Sequence, residues 1–370
     1  MFIWSIYNAI WDERWWFPAN ISGHKYGWTD LRNKPGSDIY VPQIWDIQWA
    51  LVLGLALVLV RIVLEKIFIA PLALWLGISK GRKPNVAPNK LFEEIYKQKK
   101  RPIDFKSLSK QTDLSTRQVE VWFRDRKKQD SHTTLQKFCD SGWHFIFYLV
   151  SFSYGMYVMQ DKPWFQRTID CWEGWPLQNV TNDVYWYYMI ELAFYWSLIY
   201  TLLWDPKRSD FYQMFVHHVA TIVLMNFSWL VNFVRIGTLV LIVHDVADPL
   251  LELTKMVNYL KWKRTTDIVF VVFVIAWITS RHFVFPYVIL YSTTFEILTV
   301  FGQPTFFNYF FNFFLYLLLA LGFMWTYHLI KAVIKKLSQG EVTDTRSDSE
   351  SSDAQVDNHR NGVAANGKGH

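Results

Sequence analysis

Residues Ile47 to Ile69 read IQWALVLGLALVLVRIVLEKIFI. A helix of about 20 apolar residues crosses a bilayer hydrocarbon core of ~30 Å, so this stretch is long enough to span one. Six further stretches have similar character and nearly similar length: Trp143 to Met159, Tyr185 to Leu203, Phe211 to Leu230, Phe233 to Leu253, Ile268 to Leu290 and Phe306 to Ile330. The fourth and fifth of the seven carry polar interruptions and have the weakest boundaries. The expected fold is all-α: a polytopic membrane protein with about seven transmembrane helices, plus a small cytosolic helical domain.

Composition agrees with a divided chain. Apolar residues make up 51%, yet 19% are charged and the mean hydropathy is only +0.06. The average therefore conceals apolar spans and a polar part. A single soluble globule, a disordered chain and a collagen-like fibre are excluded. Two cysteines, Cys139 and Cys171, exclude a disulfide framework and a thiolate zinc cluster. The expected division is a lumenal segment 1–46, a first span 47–69, a cytosolic domain 80–131, a transmembrane domain 137–336 and a disordered acidic tail 337–370. Met1 to Phe17 lacks a signal-peptide pattern and reads as an interfacial amphipathic helix.

Basic residues set the orientation. Lys80 to Lys137 holds a large Lys/Arg excess, Lys207 and Arg208 lie in the third connection, Lys255 to Arg264 carries four basic residues, and Lys331, Lys335 and Lys336 follow the last span. The alternate connections are nearly free of them. The positive-inside rule puts the basic loops and the C-terminus in the cytosol and the N-terminus in a lumen. Asn20-Ile21-Ser22 is a glycosylation sequon on that lumenal side, and Asn179-Val180-Thr181 is a second. The formal charge of +6 thus marks the cytosolic face of a membrane rather than a nucleic-acid partner.

Gln118 to Lys128 includes Trp122-Phe123-Arg124-Asp125 and resembles the third helix of a homeodomain. A homeodomain reads adenine through an Asn two residues after that Phe. Asp125 stands there and repels phosphate, so DNA binding is not expected. A folded adapter with a basic face near anionic lipid fits better.

Ionisable groups inside spans are costly and mark function by default. His217 and His218 lie in the fourth span. His244, Asp245, Asp248 and Glu252 lie in the fifth, and Arg281 and His282 in the sixth. Asp245, Asp248 and Glu252 are spaced to share one helix face. Imidazole is active near neutral pH, and a neighbouring carboxylate orients it. The HxxHH spacing of membrane di-iron enzymes is missing, since Met214 and Phe215 occupy the upstream positions, so no metal is expected. A polar network that only glues helices is the alternative for any single group.

The run Val216-His217-His218-Val219-Ala220-Thr221, with Arg235-Ile236-Gly237-Thr238, His244-Asp245-Val246-Ala247-Asp248 and Lys255-Met256-Val257-Asn258-Tyr259, closely resembles the Lag motif in the TLC domain of ceramide synthases. Asp161 to Phe165, Tyr185 to Leu192 and the tail motif Asp344 to Glu350 are similar to that family as well. The resemblance covers nearly all of residues 1 to 350. It implies an enzyme of the endoplasmic reticulum membrane that N-acylates a sphingoid base (dihydrosphingosine or sphingosine) with fatty acyl-CoA as co-substrate and no bound cofactor. It also implies pairing as a homo- or heterodimer with related synthases. The family's active-site pair matches His217 and His218, and its paired aspartates match Asp245 and Asp248. Pro249 departs from the usual non-proline and is expected to disturb the helix at Asp245.

The expected chemistry is transfer of acyl from a thioester to an amine. His217 takes the acyl group, and His218, oriented by Asp245 or Asp248, deprotonates the amine. Arg281, if it faces the cavity, stabilises the oxyanion. The resemblance implies that the last lumenal loop, Tyr291 to Gln303, influences chain length, which makes Tyr291, Phe295 and Phe301 candidate substrate contacts. Ser347, Ser349, Ser351 and Ser352 sit among acidic residues and are candidate phosphorylation sites. Two rivals are a non-enzymatic lipid-handling TLC protein and a membrane-tethered DNA-binding regulator. Neither accounts for the intramembrane ionisable cluster.

Overall fold

A computed structural model describes residues 11–18, 24–81, 83–98, 103–202 and 210–339. The sequon at Asn20, the basic pair Lys207 and Arg208, and the tail with Ser347, Ser349, Ser351 and Ser352 lie outside the described residues. The first long helix, α1 (Ile44–Trp75), is apolar on nearly every side. It meets its neighbour through the small residues Ala50 and Gly54. A Cβ at Gly54 would stand 2.9 Å from the Ala193 carbonyl oxygen, so only glycine allows this approach.

Three short helices follow: α2 (Lys90–Gln98), α3 (Phe105–Thr112) and α4 (Thr116–Asp130). They close on their own core of Phe92, Leu108, Val119 and Phe123. Ser115 and Gln118 form a reciprocal capping box that starts α4. Arg126 of α4 bonds Glu93 of α2 at 2.8 Å, and this hydrogen bond holds the guanidinium pKa above its ordinary value.

The remaining helices are α5 (Thr134–Met159), α6 (Asn182–Thr201), α7 (Phe211–Leu230), α8 (Val234–Asp245), α9 (Asp248–Tyr259), α10 (Lys263–Phe301) and α11 (Phe306–Gln339). They coincide with the six other apolar stretches, the fifth being divided between α8 and α9. Among the described residues, α1, α10 and α11 are long and apolar enough to cross a membrane by length and composition. α6 packs against α1, α5, α7 and α8, and α11 closes the group against α7 and α10.

Two expectations change here. The fifth stretch is not one uninterrupted helix: it is interrupted between α8 and α9 at Val246-Ala247, both of which keep right-handed helical backbone angles. Pro249 is the physical reason: it has no N–H for the Asp245 carbonyl and sits in the first turn of α9, where proline is tolerated. The expected loop from Tyr291 to Gln303 is also mostly helix. α10 continues to Phe301, with wider π-type turns across Thr279–Leu290, which contains Pro286, and across Ser292–Glu296. The connection is only Gly302 to Thr305, and Gly302 takes the left-handed φ of 74° that ends the helix.

Residues 1–10 of the expected interfacial helix lie outside the described residues, and Glu13–Trp16 forms a helical turn. Trp16 and Phe17 are buried in protein, with Trp16 stacked on Phe227 at 5.5 Å and edge-on to Phe306. Trp229 donates to the Gln43 carbonyl at 3.1 Å, tying this segment to the C-terminal end of α7. Tyr40 hydrogen-bonds the Asp46 carboxylate at 2.8 Å, and burial together with that bond pushes the phenol pKa up.

Candidate active site

α7 carries His217, Thr221, Leu224 and Ser228 at i, i+4, i+7 and i+11, which forms one stripe on a helix. All four line a single cavity. Ile236, Gly237, Val240, Leu241 and His244 line it from α8, and Tyr188 and Tyr195 from α6. α11 and α10 complete it with Asn308, Phe311, Asn312, Leu315 and Leu318, and with Thr293 and Ile297. The cavity encloses ≈ 710 Å³ of space outside atoms, open solvent at its mouth included. The space inside is narrow. His217, Tyr195 and His244 mark one end. Ser228, Phe233 and Trp172 mark the other, ~16 Å along α7 from His217 at the ordinary helical rise.

His217 sits among aromatic rings: Tyr195 at 6.4 Å, Trp325 at 5.3 Å and His218 at 5.5 Å between centroids. Its Nδ1 is buried with no hydrogen-bond partner among the described residues. His218, one residue and about a hundred degrees further round, is buried against Tyr195 and does not line the cavity. His244 does line it. Its Nδ1 lies 2.8 Å from the Val240 carbonyl, which only accepts, so Nδ1 carries the proton and Nε2 keeps its lone pair. That tautomer leaves a base at Nε2.

The carboxylates have separate partners. Asp248 lies 3.5 Å from the Arg281 guanidinium. Glu252 pairs with Lys255 at 2.6 Å. Asp245 is fully buried, with neither carboxylate oxygen hydrogen-bonded among the described residues, and Glu191 accepts from Ser151. No hydrogen bond joins either aspartate to His217 or His218 among the described residues. Arg281 does not line the cavity. It donates to the His244 carbonyl at 2.7 Å and lies over Trp277, so it clamps the end of α8 to Asp248 at the start of α9.

The three substrate-contact candidates are also placed elsewhere. Tyr291 and Phe295 are more than half exposed on the outer face of α10. Phe301 is buried against Trp175 at 5.0 Å and Phe307 at 5.8 Å. Thr293 and Ile297, two residues on from Tyr291 and Phe295, face inward instead, because a two-residue step turns a helix by about 200°. Asn312 fixes Thr293 by accepting its hydroxyl at 2.8 Å. Among the described residues no group of three or more His, Cys, Asp or Glu side chains is arranged to hold a metal ion.

Three site residues had no assigned role in the sequence reading: Tyr195, His244 and Glu191. A signal existed for Glu191, a lone carboxylate within the apolar stretch Tyr185 to Leu203. Tyr188, Glu191 and Tyr195 fall at i, i+3 and i+7 of α6, a spacing that marks its inward face.

A family model described as the TLC domain matches residues 137–331. The chain is 39% identical to ceramide synthase 5 of Mus musculus, over 94% of this chain and 83% of that protein. It is 38% identical to ceramide synthase 5 of Homo sapiens, over 95% and 89%. It is also 38% identical to ceramide synthase 3 of Homo sapiens, over 94% and 89%.

Proposed function

We infer the reaction from one premise: this chain belongs to the ceramide synthase family, and it makes ceramide by joining a fatty acyl group to the amino group of a sphingoid base. The observation that carries the mechanism is a narrow, mostly apolar cavity with two imidazoles and a phenol at one end. The acyl chain of acyl-CoA occupies the apolar length, and its thioester stands at His217. A nitrogen of His217 attacks the thioester carbonyl. The carbon–sulfur bond breaks, and CoA leaves as thiolate. The sphingoid amine, as free base, then attacks the acyl-imidazole. Its extra proton passes to Nε2 of His244, the carbon–nitrogen bond to imidazole breaks, and the amide is released.

His244 takes the base role expected of His218 because its ring borders the cavity and its tautomer suits the task. His218 supports His217 and Tyr195 from behind. The oxyanion donor is Tyr195, which lines the cavity next to His217. Tyr195→Phe removes the hydroxyl and keeps the ring. It should lower kcat by about 10²-fold with a small change in KM, since a donor aimed at developing charge is worth ~10²–10³ in rate. An unchanged kcat in steady-state kinetics would remove Tyr195 from the site.

The topology that serves this chemistry has seven crossings in the endoplasmic reticulum membrane, with the N-terminus lumenal and the C-terminus cytosolic. The nucleotide head of CoA then stays in the cytosol, near basic loops, while the chain enters hydrocarbon. Pairing with a second synthase and phosphorylation of Ser347, Ser349, Ser351 and Ser352 fit the same placement of the tail. In microsomes, glycosidase treatment should increase the mobility of the full chain, and Asn20→Gln combined with Asn179→Gln should abolish that shift. A glycosidase-insensitive wild type would argue against a lumenal N-terminus. The reaction itself is tested with purified protein, a panel of acyl-CoAs and dihydrosphingosine. Mass spectrometry should find ceramide in each productive mixture, and none with any acyl-CoA rejects the assignment.

A further inference from the structure

The end of the cavity away from His217 is closed by aromatic rings. Phe233 meets Trp172 edge-on at 5.3 Å, and Phe307 and Phe311 of α11 pack on it at 5.0 and 5.2 Å. The Phe233 N–H donates to the Ser228 carbonyl at 2.7 Å, which ties this closure to the C-terminal end of α7. Asn308 lies between the two phenylalanines in α11 and lines the cavity. It is 5% exposed.

Its polar neighbours at this end are committed within the protein. Ser228 is bonded to the Tyr188 hydroxyl, Trp172 donates to Ser292 at 3.0 Å, and both amide atoms of Asn312 are tied to Thr293. In Asn308 only the oxygen is engaged. Oδ1 accepts from the Thr305 N–H at 2.9 Å and from the Thr305 hydroxyl at 2.7 Å. A backbone N–H only donates, so this bond identifies the amide oxygen and leaves Nδ2 as the other end. Nδ2 is buried with no hydrogen-bond partner among the described residues. Buried donors are almost always met, and the cavity is the space that Asn308 borders.

We propose that Asn308 is a specificity-determining residue for the acyl chain: its amide donor rejects a methyl end that reaches it and accepts an oxygen atom at that place. The proposal rests on the acyl chain lying along the cavity with its thioester at His217. A chain that stops short leaves the donor to water. A chain that reaches the closed end drives water out and strands the N–H against hydrocarbon. Magnitudes decide between burial and stranding. Burying one more methylene favours binding by about fourfold, whereas stranding a buried donor costs about tenfold or more. Preference therefore falls at the length that touches Asn308.

The test uses purified full-length protein in lipid nanodiscs, dihydrosphingosine and saturated acyl-CoAs of graded length, with the ceramides read by mass spectrometry. The probe is an acyl-CoA of the first length beyond the optimum, with an ether oxygen in place of its last methylene. It keeps the length and adds only an acceptor. Wild type should use the ether chain with about tenfold higher kcat/KM than the all-carbon chain of that length. Asn308→Leu keeps the bulk and removes the donor. It should use the longer all-carbon chain about tenfold better, relative to the wild-type optimum, and lose the preference for the ether. Thr305→Ala weakens the bonding of Oδ1 but leaves the donor, and should keep the wild-type length profile. Equal use of ether and all-carbon chains by wild type overturns the proposal, and that result needs no variant to fold. An unchanged profile in Asn308→Leu also overturns it. The same shift in Thr305→Ala as in Asn308→Leu overturns it too, and confines Asn308 to holding the start of α11. Thioether analogues of the same CoAs cannot transfer their chains, and their affinities by titration calorimetry should show the same ratios. If no acyl-CoA gives ceramide, the reaction is wrong, and the thioether affinities still decide Asn308.

Discussion

His217→Ala should abolish ceramide formation, lowering kcat by at least ~10⁴-fold, the scale seen when a covalent nucleophile is removed while binding survives. The cavity walls stay in place, so acyl-CoA should still bind with similar affinity. The decisive measurement is intact mass after incubation with acyl-CoA alone. Wild type should gain one acyl group, and His217→Ala should gain none. His218→Ala should still acylate and should lose less activity, because its ring lies outside the cavity against Tyr195. His244→Ala should acylate normally and stall before amide release, since it lacks the base for the second step. If wild type and His217→Ala are indistinguishable and neither carries an adduct, the acyl-imidazole is wrong and imidazole acts only as a base. Acylation of His217→Ala but not His218→Ala would exchange the roles of the adjacent histidines.

Helix placement was readable because membrane spans declare themselves by length and apolarity. The apolar stretches coincide with helices, and the spacing His217, Thr221, Leu224, Ser228 marks the inner face of α7. Within the site, partner choice was not readable. Asp245 and Asp248 are three residues apart, yet Asp248 meets Arg281 on α10 while Asp245 is buried with no hydrogen-bond partner among the described residues. The break at Val246-Ala247 separates them, and although Pro249 announces a disturbance, it does not say which way each side chain turns. Tyr291 and Phe295 were misplaced for a related reason. Their aromatic character suits both a substrate wall and a lipid-facing surface, and the difference depends on whether the segment is loop or helix. His244 was visible as an ionisable group, but its tautomer depends on a bond to a carbonyl four residues back that only a helix supplies.

Arg281→Met should cost both stability and at least ~10²-fold in activity, and the two losses together distinguish a clamp from an oxyanion donor. Arg281 joins the His244 carbonyl to Asp248 across the α8–α9 break, with 11% and 19% side-chain exposure for the ion pair. Methionine keeps much of the packing over Trp277 but leaves Asp248 without its cation. Breaking a buried pair costs about 3–5 kcal/mol, and the partial exposure of Asp248 reduces that to roughly 2–4 kcal/mol. The loss should appear as a lower midpoint for thermal inactivation in detergent. Removing both partners in Arg281→Met with Asp248→Leu should recover most of the stability, because no orphan charge remains. Activity should stay low, since the end of α8 is then free to shift and carries His244 with it. Lysine at 281 reaches one partner but lacks the fork needed for two, so Arg281→Lys should fall between wild type and Arg281→Met. A side chain that acted directly on the oxyanion would behave differently: Arg281→Met would lose kcat with an unchanged thermal midpoint. That result would return Arg281 to the cavity and remove it from the α8–α9 joint.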